Sequence, residues 1–428
     1  MQVSGLKRVL GFWEVTLAGV GVIMGAGVYA LIGPAAGDAG NLLWLSMVLA
    51  AVVAGLTGLS YAELSSMLPR AGAEFDYAEK AFGRRTAFLV GWLLLVNGVV
   101  AAAAVALGFA GYLQALAGIP ASVGAVLLLL VSTILLFTGV KHSADLVVLF
   151  NSVGVLGLVV VVFAALPFLG QVDYMEVGPM GFGGVMAAAA LIFFAFLGFE
   201  NVARLAEETK DAARTVPRAL LLAIVISAVF YCAVALAAVS VLDWQVLSES
   251  NAPLAYVAAA TLGQNGFLLV ALIALFATSS TVVMVQLAVS RVLYEMSRDR
   301  VLPPLFAHVS KTGVPWAATI AIGLLVVAFT LIGNIGSVAG LADYTVFIAF
   351  IVVNLAVVKL RKTVPKAVRP FKVPLSVANV PVLPLVGIVS CLALFASLGR
   401  NILLGGTLVL LVGVAVELLF GKQFHLVR

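Results

Sequence analysis

Charged residues are scarce in this chain of 428 residues, since Asp, Glu, Lys and Arg make up 10% of it against 63% hydrophobic residues. A soluble domain contains roughly 25% charged residues. No soluble core could bury this much apolar surface, so the composition excludes a soluble globular protein and indicates a chain embedded in a lipid bilayer. The formal net charge of +5 reflects where basic residues lie along the chain, and we do not expect a nucleic-acid partner.

Cysteine and histidine are also rare, with two and three copies. Cys232 and Cys391 fall inside apolar segments, which excludes a disulfide scaffold and predicts no disulfide-linked partner. The histidines lie at segment ends, in loops or in the tail, so no Ser–His pair can form at membrane depth. HExxH and CxxC motifs are absent. We therefore expect no enzyme, no metal site and no cofactor.

Long apolar segments fill most of the chain, and a membrane helix needs about 20 such residues. Their pattern is helical or uniformly apolar, without the alternation of barrel strands. Twelve can be counted: Trp13–Gly33, Asn41–Leu68, Thr86–Ala117, Ala121–Val140, Leu146–Leu169, Gly184–Ala203, Ala219–Leu242, Asn265–Met296, Pro315–Gly333, Ile335–Lys359, Val382–Leu398 and Asn401–Leu419. The sequence thus predicts an all-α integral membrane protein with twelve transmembrane helices, which we number spans 1 to 12.

The loops between these spans sort by charge. If twelve spans alternate across the membrane, nearly all loop lysines and arginines fall on one side, and Arg400 alone lies opposite. Basic loops are cytoplasmic, so the pattern predicts that the N- and C-termini both lie in the cytoplasm. The predicted units are residues 1–169 with five spans, 170–360 with five more, a cytoplasmic linker at 361–381, and 382–428 with spans 11 and 12 and the tail.

The first span of each five-span unit carries an interruption: "GVIMGAG" (21–27) in span 1 and "FFAFLGFE" (193–200) in span 6. Paired discontinuous helices indicate a transporter site near the membrane midplane. Gly21 and Gly25 also fit a helix-packing motif, and that alternative stays open. Two glycines around Ala26 indicate an unwound turn, whose free N–H groups would bind a carboxylate with help from the helix that starts at Gly27. Exposed carbonyls nearby would receive an ammonium group.

Four stretches, in this order along the chain, carry a family resemblance: "GVGVIMGAGVY" (19–29), "SYAELSSMLPRAGAEFDYAEKAFG" (60–83), "FFAFLGFENVARLAEETKDAARTVPRAL" (193–220) and "SRVLYEMSRDRVLPPLFAHV" (290–309). "RPFKVP" (369–374) is a weaker fifth match. With them the chain resembles the amino acid transporters of the amino acid–polyamine–organocation superfamily. The resemblance implies a LeuT-like fold of two inverted five-helix repeats plus two C-terminal helices, with spans 1 and 6 discontinuous.

The resemblance also implies a substrate site between spans 1 and 6. The amides of Gly25, Ala26 and Gly27 would hold the substrate carboxylate, and Phe194 would cover the substrate as a gate. The family often has serine or threonine where Ala26 stands, so one side-chain hydrogen bond is lost here. The carbonyls implied to hold the ammonium belong to Val22, Ile23, Phe194, Ala195 and Leu197.

Several polar residues within spans are candidates for gating or ion coupling. Glu200, where span 6 resumes, either gates the substrate path or steadies the broken helix through a hydrogen bond. Thr278, Ser279 and Ser280 in span 8 either bond back to their own helix or contribute to a cation site. Three further acids are expected to have structural roles. Glu63 caps a helix or pairs with a loop arginine, while Asp343 and Glu417 are structural.

The sequence of span 5 bears on whether transport is coupled to an ion gradient. Many relatives carry a span 5 lysine that mimics a sodium ion, and by resemblance it would fall at Gly154. Without that lysine, exchange or facilitation ranks before sodium binding or proton transfer through Glu200. We expect a multi-pass plasma-membrane protein that moves small neutral L-amino acids by alternating access as a secondary active transporter. The alternatives are a channel-like facilitator and an exchanger of cationic amino acids or polyamines.

Overall fold

The computed structural model describes residues 8–70, 72–137, 140–298, 302–310, 313–377 and 379–424. Nearly all of them are helical. Lys7, Arg300, Lys311 and Arg428, which contribute to the predicted charge sorting, lie outside the described residues, as does His425.

The first half of the chain contains seven α-helices up to the start of span 6. They are α1 (Phe12–Ile23), α2 (Gly27–Ala39), α3 (Leu43–Met67), α4 (Ala73–Phe82), α5 (Arg84–Ala117), α6 (Ala121–Phe137) and α7 (Val140–Ala165). A 3₁₀ turn, Leu166–Phe168, extends α7. Spans 2 to 5 thus correspond to α3, α5, α6 and α7, and span 1 is divided between α1 and α2.

The remaining helices complete the predicted order. They are α8 (Gly181–Ile192), α9 (Phe199–Arg204), α10 (Ala212–Val241), α11 (Trp244–Glu249), α12 (Pro253–Arg298), α13 (Trp316–Thr330), α14 (Ile335–Thr363), α15 (Val382–Ala396) and α16 (Arg400–Phe424). Further 3₁₀ turns cover Phe193–Phe196, Leu205–Glu208 and Pro304–Ala307. Span 6 is therefore α8, a 3₁₀ turn and α9, while α10, α12, α13 and α14 are spans 7 to 10.

Length and composition identify seven described helices that can cross a membrane, or eight if the bent pair α1 and α2 counts as one span. Four further apolar helices are shorter, at 10–17 residues: Ala121–Phe137, Val153–Phe168, Trp316–Thr330 and Val382–Ala396. Each lies on one of the remaining predicted spans. The protein is thus a multi-pass helical membrane protein.

Three details differ from the prediction. Span 8 is longer, because α12 begins at Pro253 and is interrupted at Gly263, whose φ of 71° is left-handed. Two short helices, α4 and α11, lie between spans, and at 10 and 6 residues they are too short to cross a membrane. A two-residue hairpin, β1 (Ser376–Val377) with β2 (Val380–Pro381), also interrupts the all-α pattern within the linker.

The linker between spans 10 and 11 is fixed to the end of span 2. Glu63 on α3 accepts two hydrogen bonds from Arg361, at 2.9 and 2.5 Å, and a third from the Val373 backbone N–H at 2.8 Å. Arg369 lies 3.3 Å from the same carboxylate. The Glu63 and Arg361 side chains are 2% and 1% exposed, so the charges neutralise one another in the interior. Glu63 therefore pairs with arginines beyond the predicted end of span 10, Arg361 in the last turn of α14 and Arg369 in the linker, and this pairing gives "RPFKVP" a structural role.

Candidate substrate site at two helix breaks

The break in span 1 leaves backbone donors without partners. Helix α1 ends at Ile23, α2 begins at Gly27, and the two are bent by 46°. The flanking bonds are intact, from Met24 N–H to the Val20 carbonyl at 2.8 Å and from Ala30 N–H to the Ala26 carbonyl at 3.1 Å. Within the described residues, the intervening N–H groups of residues 25, 26 and 27 make no hydrogen bond. These donors, at the positive end of α2, suit an anion.

The break in span 6 has a different local geometry. A 3₁₀ turn follows α8, and the N–H of Leu197 closes it by donating to the Phe194 carbonyl at 3.2 Å. Leu197 is extended, and Gly198 then takes a φ of 117° before α9 starts. A side chain at that φ would be strained, so glycine is the residue that lets the chain turn here. The sequence analysis did not single out Gly198, although a glycine between apolar residues and Glu200 marks it.

The two breaks pack directly against each other. A Cβ atom added to Gly27 would lie 2.6 Å from the Cα of Ala195, and one added to Gly198 would lie 2.7 Å from Cγ1 of Val22. Real Cβ atoms do not come so close to such neighbours, so both glycines permit the contact between spans 1 and 6. Gly27 therefore has a packing role in addition to any role toward a ligand.

Tyr231 on α10 connects the two breaks. Its hydroxyl lies 2.5 Å from the carbonyl oxygen of Ile23 and 2.9 Å from that of Ala195. One hydroxyl has one proton, so it donates fully to only one of these carbonyls at a time. These are two of the five carbonyls that the resemblance implies for the ammonium. Sequence reasoning missed Tyr231, because a single tyrosine in an apolar span carries no distinguishing pattern.

The predicted gate residue is buried at the break. Phe194 is 6% exposed, whereas Val22 is 43% exposed and Leu197 is half-buried. The neighbouring rings make defined aromatic contacts: Phe193 packs on Phe347 with centroids 4.8 Å apart, and Phe196 packs on Tyr231 at 5.1 Å. The gating role of Phe194 remains a prediction.

Glu200 holds the start of α9. Its Oε2 accepts a hydrogen bond from the Gly198 N–H at 2.8 Å, and the residue is 9% exposed. This bond is the structural one that the sequence analysis set beside a gating role. The nearest charged pair is Arg204 with Glu74, 3.1 Å apart, and Glu74 also accepts from the Tyr61 hydroxyl at 3.1 Å. An ionic network thus lies next to Glu200, at the end of span 6.

Gly154 in span 5 packs closely against span 8. A Cβ added there would lie 3.0 Å from the Cβ of Ala277 on α12. Its carbonyl accepts a hydrogen bond from the Tyr29 hydroxyl at 2.6 Å, and the Tyr29 carbonyl in turn accepts from Tyr112 at 3.2 Å. Tyrosine hydroxyls therefore join span 5 to α2.

The hydroxyl groups of span 8 bond to their own helix. Thr278 donates to the Ala274 carbonyl at 2.6 Å, Ser279 to that of Phe276 at 3.0 Å, and Ser280 to that of Ala277 at 2.9 Å. A hydroxyl that donates to its own helix can still accept through its oxygen, so these bonds do not decide between the two roles. The hydroxyl beside the span 1 break is that of Thr281, which would contact a Cβ on Gly25 at 3.4 Å. The sequence analysis had not included Thr281.

Comparisons with known proteins indicate one family. Residues 10–410 match the family model described as amino acid permease. The branched-chain amino acid permease BcaP of Bacillus subtilis is 31% identical over 98% of this chain and 94% of its own. The methylthioribose transporter of the same organism is 30% identical, over 99% and 96%.

A plant relative is similar over a smaller part of its length. The vacuolar cationic amino acid transporter 2 of Arabidopsis thaliana is 32% identical over 84% of this chain and 61% of its own. Family model, relatives and apolar helices agree on a membrane transporter rather than an enzyme. The chain therefore belongs to the amino acid permease family of the amino acid–polyamine–organocation superfamily.

Proposed function

We propose that this protein is a secondary active transporter of small neutral L-amino acids that works by alternating access. The observation that carries the proposal is the pair of breaks in spans 1 and 6, which lie in contact near Gly27 and Ala195. Three unpartnered N–H groups on one side suit a carboxylate, and carbonyl groups on the other side suit an ammonium. A zwitterion is then bound by backbone alone, without a buried side-chain charge.

The side chains at the breaks favour a neutral substrate. Val22, Ile23, Ala26, Phe194 and Leu197 are apolar. The acid nearest to them, Glu200, is already engaged with the Gly198 N–H. Apolar pockets discriminate against a charged side chain, because they leave its charge unpaired. A relative named as a branched-chain amino acid permease fits this choice.

The cationic alternative has support of a different kind, since another relative is named as a cationic amino acid transporter. An arginine or polyamine would need an acid free to pair with it. The ionic network of Glu74 and Arg204 lies close to Glu200 but is internally paired. We therefore rank the neutral substrate first.

The proposed topology is that of the sequence analysis: twelve spans as two inverted five-span repeats (1–169 and 170–360), a cytoplasmic linker (361–381), and spans 11 and 12 with the tail (382–428), with both termini cytoplasmic in the plasma membrane. Four short apolar helices in the expected places support it. Labelling of single cysteines introduced at each loop, from inside and from outside, tests it. A termini-outside pattern would contradict it.

Proteoliposomes with purified protein test the function. We expect saturable counterflow of labelled L-leucine or L-alanine, and no counterflow with arginine, putrescine or methylthioribose. Counterflow requires a carrier, so its absence beside rapid passive equilibration would indicate a channel-like facilitator. Arginine counterflow without leucine counterflow would instead establish the cationic alternative.

A further inference from the structure

Four acidic side chains are buried within the described residues, and three of them have partners. Glu63 pairs with Arg361, Glu74 pairs with Arg204, and Glu200 accepts from the Gly198 N–H. Asp343 on α14 is the exception: it is 0% exposed, and neither carboxylate oxygen has a hydrogen-bond partner. The sequence analysis expected Asp343 to be structural, but its carboxylate makes no hydrogen bond that would support such a role. Glu417, the other lone acid, does pair with Arg85 at 3.3 Å.

Asp343 lies on the face of α14 that reaches the broken helices. One turn further along α14, Phe347 packs on Phe193 in the 3₁₀ turn of span 6. Near the start of α14, a Cβ on Gly336 would lie 3.9 Å from Leu191 at the end of α8. The carboxyl is therefore about one helical turn from the side chains that contact the substrate-site break.

Among the described residues, no polar group donates a hydrogen bond to Asp343. The Asn97 amide on α5 donates to the Ala342 carbonyl at 2.8 Å and to Thr345 Oγ1 at 3.2 Å instead. In the part of the chain that the structure describes, Asp343 forms no hydrogen bond or ion pair with a titratable group on its own helix or on the helices packed against it. Those groups are Tyr344 on α14, Tyr29 and Asp38 on α2, Tyr61 and Glu63 on α3, Glu74, Asp76, Tyr77, Glu79 and Lys80 on α4, Arg84, Arg85 and Tyr112 on α5, Cys391 on α15, and Arg400 and Glu417 on α16. Within the described residues, the Asp343 carboxyl therefore has neither a hydrogen-bond donor nor a positively charged partner.

An unpaired carboxylate at membrane depth is unfavourable by several kcal/mol or more, and protonation removes the charge. A metal cation would do the same only with several oxygen ligands around it. The two polar side chains beside Asp343 are already bonded to the Ala342 carbonyl. The neutral acid is therefore the form that this environment favours.

Resting on the proposed transport function, we propose that Asp343 is the proton-coupling site of this transporter. The carboxyl holds a proton in the conformation described here, with the aromatic contact of Phe347 and Phe193 closed beside it. When span 6 rearranges and water reaches the site, the O–H bond breaks, the proton passes to water, and a hydrated carboxylate remains. Proton release is in this way tied to the movement of the substrate-site break, which replaces the exchange mode expected from sequence.

Two measurements test this, with E417Q as the matched control because Glu417 is also an acid within a span but is ion-paired. In proteoliposomes with an inside-alkaline gradient, we expect wild type and E417Q to accumulate L-leucine several-fold above equilibrium. D343N mimics the protonated acid, so it should stop at equilibrium while keeping leucine counterflow at equal pH. Gradient-driven accumulation in D343N, or accumulation that follows sodium and not pH in wild type, would overturn the proposal.

Infrared spectroscopy tests the proton without requiring transport. At neutral pH, the wild-type spectrum minus that of D343N should show the C=O stretch of a buried protonated carboxylic acid, whereas wild type minus E417Q should not. The difference isolates Asp343 from Glu200, the other buried carboxyl near the site. A wild-type minus D343N difference without that band would refute Asp343 as the proton site. If wild type transports none of the amino acids tested, the proposed function fails, and the infrared result alone decides on Asp343.

Discussion

The hydroxyl oxygen of Tyr231 lies 2.5 Å from the carbonyl oxygen of Ile23, the last residue of α1 before the span 1 break. The same hydroxyl reaches the Ala195 carbonyl at 2.9 Å. Span 7 therefore contacts both broken helices through one proton donor, at acceptors that an ammonium group would use. The hydroxyl and the substrate compete for the same two oxygens if the proposed site is correct.

This competition predicts opposite effects for Y231F. The substrate-free protein should be less stable by about 1 kcal/mol, because a buried hydrogen bond is lost. Leucine should nevertheless raise its melting temperature more than that of wild type, because the carbonyls are no longer occupied. Thermal unfolding in detergent with and without leucine measures both. Y112F, which loses a buried bond to the Tyr29 carbonyl, should show the first effect only. A smaller leucine shift in Y231F would make the hydroxyl part of the substrate site instead.

The two glycines of the span 1 turn should respond differently to alanine. A Cβ at position 27 meets the Ala195 backbone at 2.6 Å, and overpacking of this kind lowers stability by about 1–3 kcal/mol. At Gly25 the nearest atoms are 3.4 Å away, so G25A should fold as well as wild type. Thermal unfolding of the two variants compares them directly. Equal melting temperatures would contradict the close approach of spans 1 and 6. G27V is expected to abolish substrate binding as well, but this result would not separate a role in binding the carboxylate from a role in packing against Ala195.

Phe194 should matter for transport in addition to folding, since its side chain is buried at the break. F194A is expected to raise the KM for leucine uptake, since the aromatic cover of the site is removed. F196A is the comparison, because Phe196 packs on Tyr231 and its loss should lower stability by about 3–5 kcal/mol. Uptake kinetics and melting curves are measured on both. Unchanged uptake by F194A would remove Phe194 from the gate.

Glu200 should behave as a structural acceptor. E200Q keeps an oxygen for the Gly198 N–H, whereas E200A leaves that donor unpaired, with a loss of about 1–3 kcal/mol. We therefore expect E200Q to retain stability and the response to a pH gradient, and E200A to lose stability. Melting curves and gradient-driven leucine uptake measure the two properties. Loss of the pH response in E200Q would transfer the proton role from Asp343 to Glu200.

The buried ion pair at the linker should contribute far more to stability than an exposed ion pair does. R361A leaves the buried Glu63 with the Val373 N–H and Arg369 as its remaining partners, and breaking such a pair lowers stability by about 3–5 kcal/mol. R85A breaks a pair whose arginine side chain is 77% exposed and should change stability by less than about 1 kcal/mol. Both are compared by thermal unfolding. Similar losses for the two variants would show that the buried pair adds little.

The sequence predicted the features that depend on residues close together in the chain, namely the helix breaks and the long helices. Glycine spacing gave the span 1 break, an aromatic run ending in glycine and glutamate gave the span 6 break, and apolar length gave every long helix. A polar residue at the end of a span, such as Glu63, has few partners besides loop arginines, and this pairing was predictable as well.

Contacts between distant spans were not predictable. Tyr231 and Ile23 are 208 residues apart, and nothing near either residue specifies the bond. By resemblance, Gly154 stands where many relatives have a lysine, but its close contact with Ala277 of span 8 could not be inferred from the sequence. Asp343 could not be distinguished from Glu417 by sequence, because their difference is the presence of Arg85 beside one of them.

The pairing of Glu63 with Arg361 also constrains how the chain is made. The two residues are 298 positions apart, so span 2 is synthesised long before its arginine exists. The buried bond that fixes the end of span 2 can therefore form only after span 10 has been synthesised, so this contact between early and late parts of the chain is completed late.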